Sequence, residues 1–432
     1  MKTFASLPED FLHFVWRTRQ YEPLTLLTTD GRKVEVRNPG VWNHDQGPDF
    51  SHARIVLDGL SLAGMVEIHI RTKDWYLHKH HIDPLYNQTV LHIVLKSDGR
   101  QVLREDGTAI PEVEIEPYLK AVVIRRYLRL KETIHGVPCK DLLPTVPMSY
   151  KRRWVERMAV ERMEIKAQYW EKRLTETAGD WAQICWEALL KQMGGPVNGQ
   201  SFLELAERVP YKIVQNYKSD PEIGEALLFG ALGMLDGSVE DAYFMQLKKH
   251  WGFYSAKHKL KNRAPILIKF SRMRPANFPT IRISQVLALL AHYQGITDML
   301  LEPGQLLDLH KQIVCSPYWQ SHTRFGAITR TSKKKLGKNH LDSLLLNFVA
   351  PISFLYHRSH GTLKADHFER YLSSIKSENN RYTRLMEDLE FPNENAFFSQ
   401  GLLHLYRNYC LEKHCLDCQI GQSLLVSSPK TI

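Results

Sequence analysis

Gly47–Phe50 reads GPDF, and Val66–Trp75 reads VEIHIRTKDW. Between them, the apolar-rich runs His52–Leu57 and Leu60–Arg71 flank Asp58-Gly59, a pair that favours the tight turn of a β-hairpin. Asp49 therefore enters one strand, and Glu67 lies on the strand that returns beside it. Strand side chains alternate faces, so Glu67, His69 and Arg71 point one way while Val66, Ile68 and Ile70 point into a core. Three polar groups on one face of an inner strand are costly unless they share a task or face solvent. Two carboxylates converging from neighbouring strands can hold one divalent cation. Such a cation activates a water and neutralises charge that builds up on a scissile phosphate.

Outward from this hairpin, a helix is expected over Pro8–Gln20 and strands over Leu24–Thr28, Lys33–Arg37 and Thr89–Lys96. Asp30-Gly31, Asp98-Gly99 and Asp106-Gly107 supply further turn signals. Residues 1–135 thus read as a small α/β domain. From about Met148 the periodicity becomes helical, with Ser149 and Asp180 as caps and a stop at Gly194-Gly195. Further helices fit Pro221–Met234, Val239–Trp251, Ile281–Tyr293, His340–His357, Lys364–Leu389 and Asn395–Leu411. Residues 145–432 read as a larger all-α domain, and the fold class is α+β.

The 432-residue chain is 43% hydrophobic and 24% charged, a balance typical of a folded soluble protein. Its formal net charge of +10 favours a polyanionic partner such as nucleic acid. MKTFASLPEDFL places Glu9 and Asp10 where a secretory signal needs an apolar core, and the run Leu344–Tyr356 is too short and interrupted to span a bilayer. Six cysteines in such a chain indicate thiols or a metal site rather than a disulfide framework. The expected location is the cytoplasm, with no membrane partner; oligomeric state is not legible.

Pro48-Asp49 followed by Glu67-Ile68-His69 resembles the PD-(D/E)XK nucleases, with histidine in place of the lysine. The resemblance implies a restriction-endonuclease-like core and phosphodiester hydrolysis of DNA or RNA. Asp49 and Glu67 would hold Mg²⁺ or Mn²⁺. His69 would act as a neutral base, with an ordinary pKa of about 6.5, or as a metal ligand. Lys73 would reach the site if the strand ends early, and Arg71 would contact the phosphate. The plain structural alternative is an ion pair of Glu67 with Arg71 or a neighbour. Nearby stand His78, His80, His81 and His92, with Asp83 and Tyr86 interleaved. His69, His92 and Asp83 suit a transition metal, whereas the loop histidines His80 and His81 read as solvent-exposed.

Cys410, Cys415 and Cys418 form Cys-x4-Cys-x2-Cys, a spacing suited to Zn²⁺ or an iron–sulfur cluster that needs a fourth ligand. Cys139 and His414 are the candidates; Cys185 and Cys315 read as core. Arg125, Arg126 and Arg129 form a basic cluster, and Lys333–Lys335 another. Arg272, Arg274 and Arg282 lie in RMRPANFPTIRI, where they suit either phosphate at a helix start or carboxylate clamps between helices.

The chain as a whole resembles an uncharacterised bacterial family, domain of unknown function 2851. The resemblance lies in GPDFSHARI, VEIHIRTKDWYLHKHHIDPLYNQTVLHIV, GVPCKDLL, EALLFGALGML, RMRPANFPTIRI, YWQSH and YCLEKHCLDCQIG. It implies that these blocks cluster in space, which favours Cys139 as the fourth thiolate, but it implies no activity. Three readings follow: a metal-dependent nuclease; a non-catalytic nucleic-acid-binding or assembly protein on a nuclease-like scaffold; and a hydrolase of another substrate at a histidine-rich metal site.

Overall fold

The computed structural model describes residues 7–133, 136–260, 264–301, 305–306, 309, 312–364, 366, 369 and 372–426. The chain divides into two units, one made of Met1–Trp154 with Leu405–Ile432 and the other of Val155–His404. The helical region expected to continue to residue 432 therefore ends earlier. Its last segment, which carries three cysteines, joins the N-terminal unit.

In the first unit, helix α1 (Glu9–Thr18) buries Phe11, Leu12, Phe14, Val15 and Trp16. A seven-stranded sheet follows, built from β1 (Thr25–Leu27), β2 (Lys33–Asn38), β3 (Val41–Trp42), β4 (Phe50–Leu57), β5 (Leu60–Arg71), β6 (Thr89–Lys96) and, after a separate β7–β8 hairpin (Val102–Leu103 and Ala109–Ile110), β9 (Glu112–Glu114). The strand order is β1-β2-β4-β5-β6-β9, with β3 on the edge of β4. The β4–β5 hairpin turns at Asp58 (φ 45°) and Gly59 (φ 84°), the double left-handed conformation that an Asp-Gly pair tolerates best. The strands β3, β7, β8 and β9 are too short to show an alternating pattern in the sequence.

Strand β6 runs parallel to β5, and β9 parallel to β6. A parallel neighbour needs a crossover connection. Here it is helix α2 (Thr72–Leu77) followed by two short 3₁₀ turns, His80–Ile82 and Pro84–Tyr86. One large core packs α1, helix α3 (Ala121–Glu132) and strand residues including Val66, Ile68, Leu91 and Ile93. A smaller cluster of Trp75, Tyr86, Val102 and Ile110 lies apart from it. With Val66, Glu67, Ile68 and His69 all buried in succession, β5 is covered on both faces.

In the second unit, α4 (Met148–Glu176) enters from residue 155. It is followed by α5 (Trp181–Arg208), α6 (Tyr211–Val214), α7 (Pro221–Ala231), α8 (Ala242–Lys257) and α9 (Pro279–Leu290). Asp180, Asp220 and Asp241 cap α5, α7 and α8 by accepting from the N–H groups of Gln183, Ile223 and Phe244. Helix α5 does not stop at Gly194-Gly195, as the sequence suggested, but breaks there and resumes. The expected helix His340–His357 is present with a π-helical turn at Leu345–Val349. Of the helix expected over Lys364–Leu389, Arg381–Asp388 is helical, while residues 365, 367, 368, 370 and 371 lie outside the described residues. A small hairpin, His322–Arg324 with Ala327–Ile328, is an exception to the all-helical expectation. Among the described residues, no helix is long and apolar enough to cross a membrane.

Glu225 on α7 is fully buried, and its carboxylate accepts from Trp319 Nε1 (2.6 Å), Tyr243 Oη (2.8 Å) and Ser316 Oγ (2.8 Å). Removing the acceptor strands three donors in the core. Glu225→Ala is expected to destabilise the chain by about 3 kcal/mol, measured by urea unfolding. A loss under about 1 kcal/mol would show that the network is not a structural anchor.

Candidate metal centre

The register of the parallel strands builds a polar row. Glu67 on β5 stands opposite His92 on β6, and His92 stands opposite Glu112 on β9. His69 lies two residues along from Glu67 on the same face. Its Nδ1 is 2.8 Å from His92 Nε2, and His92 Nδ1 is 2.9 Å from Glu112 Oε2. Glu112 in turn accepts from Thr72 Oγ1 (3.0 Å) and Ser97 Oγ (2.6 Å).

These contacts set the tautomers that neutral imidazoles adopt. The Glu112 carboxylate is an acceptor, so the neutral His92 ring places its proton on Nδ1 and presents a lone pair at Nε2. His69 then carries its proton on Nδ1, and its Nε2 lone pair faces away from the row. That nitrogen is 3.2 Å from His78 Nδ1 and 3.4 Å from Glu67 Oε1, which is also 3.4 Å from His80 Nε2. One nitrogen each from His69, His78 and His80 lies within 4.8 Å of the others, an arrangement able to hold a metal ion. A ligating imidazole that donates its other N–H to a fixed acceptor is the usual second layer of such a site.

The crossover positions the other two imidazoles. His78 caps the end of α2 and is exposed, giving the cluster access to solvent. His80, in the following 3₁₀ turn, stacks on Tyr86 at 3.8 Å between centroids and meets the edge of Trp75. His80 is thus held largely inside, which corrects its reading as an exposed loop histidine.

Asp49 interlocks with Glu67. The Asp49 N–H donates to Glu67 Oε2 (3.0 Å), the Ile68 N–H donates to Asp49 Oδ2 (2.9 Å), and His13 Nε2 on α1 lies 3.1 Å from the same oxygen. The two acidic positions are thus linked through backbone N–H groups of neighbouring strands. Glu67 is 5% exposed and His69 1%. Burial, and then the charge of Asp49, raise the Glu67 pKa to about 9. Burial, and then His92, His80 and His78, depress His69 to about 2; burial and His78 depress His80 to about 4. His69 and His80 are thereby held toward the neutral form, with lone pairs available. A divalent cation would reverse the penalty on the Glu67 carboxylate.

Other sequence-predicted residues stand elsewhere. Lys73 is exposed in the first turn of α2, with its N–H on Asp98, and Arg71 is exposed at the end of β5. Neither forms an ion pair with Glu67 among the described residues; the neighbours beside its Oε1 are His69 and His80. Asp83 caps the turn at Pro84–Tyr86 and accepts from the Leu85 N–H. On α3, Arg125 is exposed, Arg129 faces Asp141 at 3.7 Å, and Arg126 donates to the Leu425 carbonyl. Arg272 and Arg274 belong to the helical unit. Sequence reasoning missed Glu9, His13 and Glu112. The Glu9–His13 spacing of four on one helix was the available signal; Glu112 sits on a strand too short to give any. Burial and then Asp49 raise Glu9 to about 7.

In the same unit, Cys139 precedes the 3₁₀ turn Lys140–Thr145, Cys410 ends a π-helical turn, and Cys415 and Cys418 lead into the helix Gln419–Val426. All are free thiols; the last three are buried and Cys139 is half-buried. Burial, and then the neighbouring thiols, push Cys139 and Cys415 up to about 12. Lys151, itself buried, favours the Cys139 thiolate. The buried Trp154 indole N–H, which makes no hydrogen bond of good geometry, favours that of Cys418. The tail is pinned by Arg17 to the Leu416 carbonyl (2.7 Å) and by Lys413 to the Lys131 carbonyl (2.7 Å).

With metal chelated away, a raised Glu67 pKa makes the folded chain favour the protonated acid. That stability is fully present below the ordinary value near 4.5 and is lost as pH rises toward about 9. Glu67→Gln should therefore gain on the wild type as pH increases from 5 to 9 in urea unfolding with chelator. A constant difference across that range would contradict the buried-acid assignment.

No curated protein and no solved structure matches the chain. One family model does, over residues 9–381, a span that includes every residue of the histidine cluster and Cys139 and ends before Cys410. The chain belongs to the family described as "Protein of unknown function (DUF2851)".

Proposed function

We propose that the N-terminal unit is a metal-dependent hydrolase that cleaves phosphodiester bonds of nucleic acid. The observation that carries this reading is the cluster of His69, His78 and His80 nitrogens, with the Glu67 carboxylate 3.4 Å from His69 and His80 and with His69 oriented by the His92–Glu112 pair. His69, His78, His80 and Glu67 are the ligands, and an imidazole-rich set suits Mn²⁺ or Zn²⁺ better than Mg²⁺. His69 is then a ligand rather than the base, because its Nδ1 proton is committed to His92. Asp49 holds Glu67 through its backbone N–H. The phosphodiester substrate rests on the net charge of +10 and on the acidic hairpin with its parallel neighbour strand.

The test is cleavage of single- and double-stranded DNA and RNA by the full chain with Mn²⁺, Zn²⁺ or Mg²⁺. Glu67→Gln is expected to lower kcat by roughly 10³-fold. His92→Ala should weaken metal binding by about 10–100-fold in calorimetry, through loss of the oriented His69. Cleavage that persists in His69→Ala would remove the proposal. A bound metal without cleavage of any nucleic acid would favour the second reading, a hydrolase of another substrate, which the histidine-rich donor set also suits.

The four thiols are the second metal site proposed, in a reducing cytoplasm. Their sulfurs do not converge within 4.8 Å as the histidine nitrogens do. A single Zn²⁺, with Zn–S of about 2.3 Å, would have to draw them together, whereas an iron–sulfur cluster takes each thiolate on a different iron. Purification under exclusion of oxygen should yield iron with acid-labile sulfide, lost in Cys139→Ala. Zinc alone at one equivalent would assign the simpler site, and no metal in either form would refute both.

A further inference from the structure

The helical unit contains a cavity that the metal chemistry does not use. Helix α5 is interrupted at Gly195 (φ 60°, ψ −164°), a backbone state that glycine adopts readily, and it resumes at Pro196, whose ring suits a first helical position. The interruption opens a cavity of about 410 Å³, within the range of small-molecule sites. Pro196 and Val197, the first residues of the resumed helix, line it, and a helix start carries partial positive charge.

Three arginines line the same cavity: Arg272, Arg274 and Arg282. Arg282 is only 7% exposed. Its guanidinium donates to Gln285 Oε1 (2.8 Å) and Asn277 Oδ1 (2.6 Å), both neutral amides. Among the described residues, none of the three arginines has a carboxylate partner, so they are not clamps between helices. A buried cation satisfied only by neutral groups is electrostatically incomplete, and burial alone lowers the Arg282 pKa to about 10. His340, also lining the cavity, is held near 3 by burial and then by Arg282, so it remains neutral. Met193 and Met273 add apolar surface able to cover an organic body.

We propose that this cavity binds a small phosphorylated molecule, its phosphate lying among Arg282, Arg272 and Arg274. Arginine forks match phosphate oxygens in pairs, and the anion would complete the charge that the fold leaves uncompensated. The cavity volume suits a mononucleotide-sized ligand.

Calorimetry on the full chain would use inorganic phosphate, adenosine 5′-monophosphate, adenosine, and a 5′-phosphorylated oligonucleotide. Inorganic phosphate should bind, the monophosphate should bind at least tenfold more tightly than adenosine, and Arg272→Ala with Arg274→Ala should weaken it at least tenfold. Arg282→Gln should abolish binding, but the double variant of exposed arginines carries the test should that protein fail to fold. Equal binding of adenosine and its monophosphate would overturn the proposal. So would no response to phosphate, or unchanged affinity in the double variant. Displacement of the monophosphate by the oligonucleotide at a lower concentration would reassign the cavity to a strand end and overturn the small-molecule assignment.

Discussion

The N-terminal unit depends on the parallel pairing of β5 with β6 in one register. Opposing Glu67 to His92, and His92 to Glu112, places three ionisable side chains in a row on one sheet face. A slip of one residue would send each to the opposite face and into an apolar layer. The crossover that permits the parallel neighbour also delivers His78 and His80. Topology and chemistry are therefore the same constraint: the loop that lets β6 lie beside β5 closes the site.

The electrostatics follow from burial more than from charge pairing. Glu67 and His69 are shifted in opposite directions from their ordinary values, both toward the neutral form. Burial leaves His69 its lone pair at moderate pH and favours the protonated Glu67, a balance that a nearby cation would reverse. The three arginines in the helical unit present the converse case, a positive site with no anion supplied by the protein.

Much of the first unit was legible because long strands show their alternation. The span Leu60–Arg71 matches residue for residue, as does Thr89–Lys96, and Asp58-Gly59 names its own turn. Asp49 and Glu67 came from a short pattern, and the β4–β5 pairing brings their backbones together. What escaped was encoded non-locally. Glu112 lies on a three-residue strand, and its partnership with His92 exists only across the sheet. His80 read as solvent-facing because nothing local shows that Tyr86 and Trp75 fold back over it. The α5 break was half legible, since Gly194-Gly195 marks an interruption but the following Pro196 can equally begin a helix. The place of the last segment was foreshadowed only by the cysteine spacing.

That segment ties distant stretches of sequence into one unit. Residues from Leu405 onward belong with Met1–Trp154, so Val155–His404 is in effect an insertion within that unit. Arg17 meets Leu416 across 399 positions of sequence, and Arg126 meets Leu425 across 299. Contacts so distant close very large loops, whose entropic cost falls once the inserted helices have folded by themselves. The thermodynamics of the sheet unit and of the insertion are therefore linked, although their cores are separate.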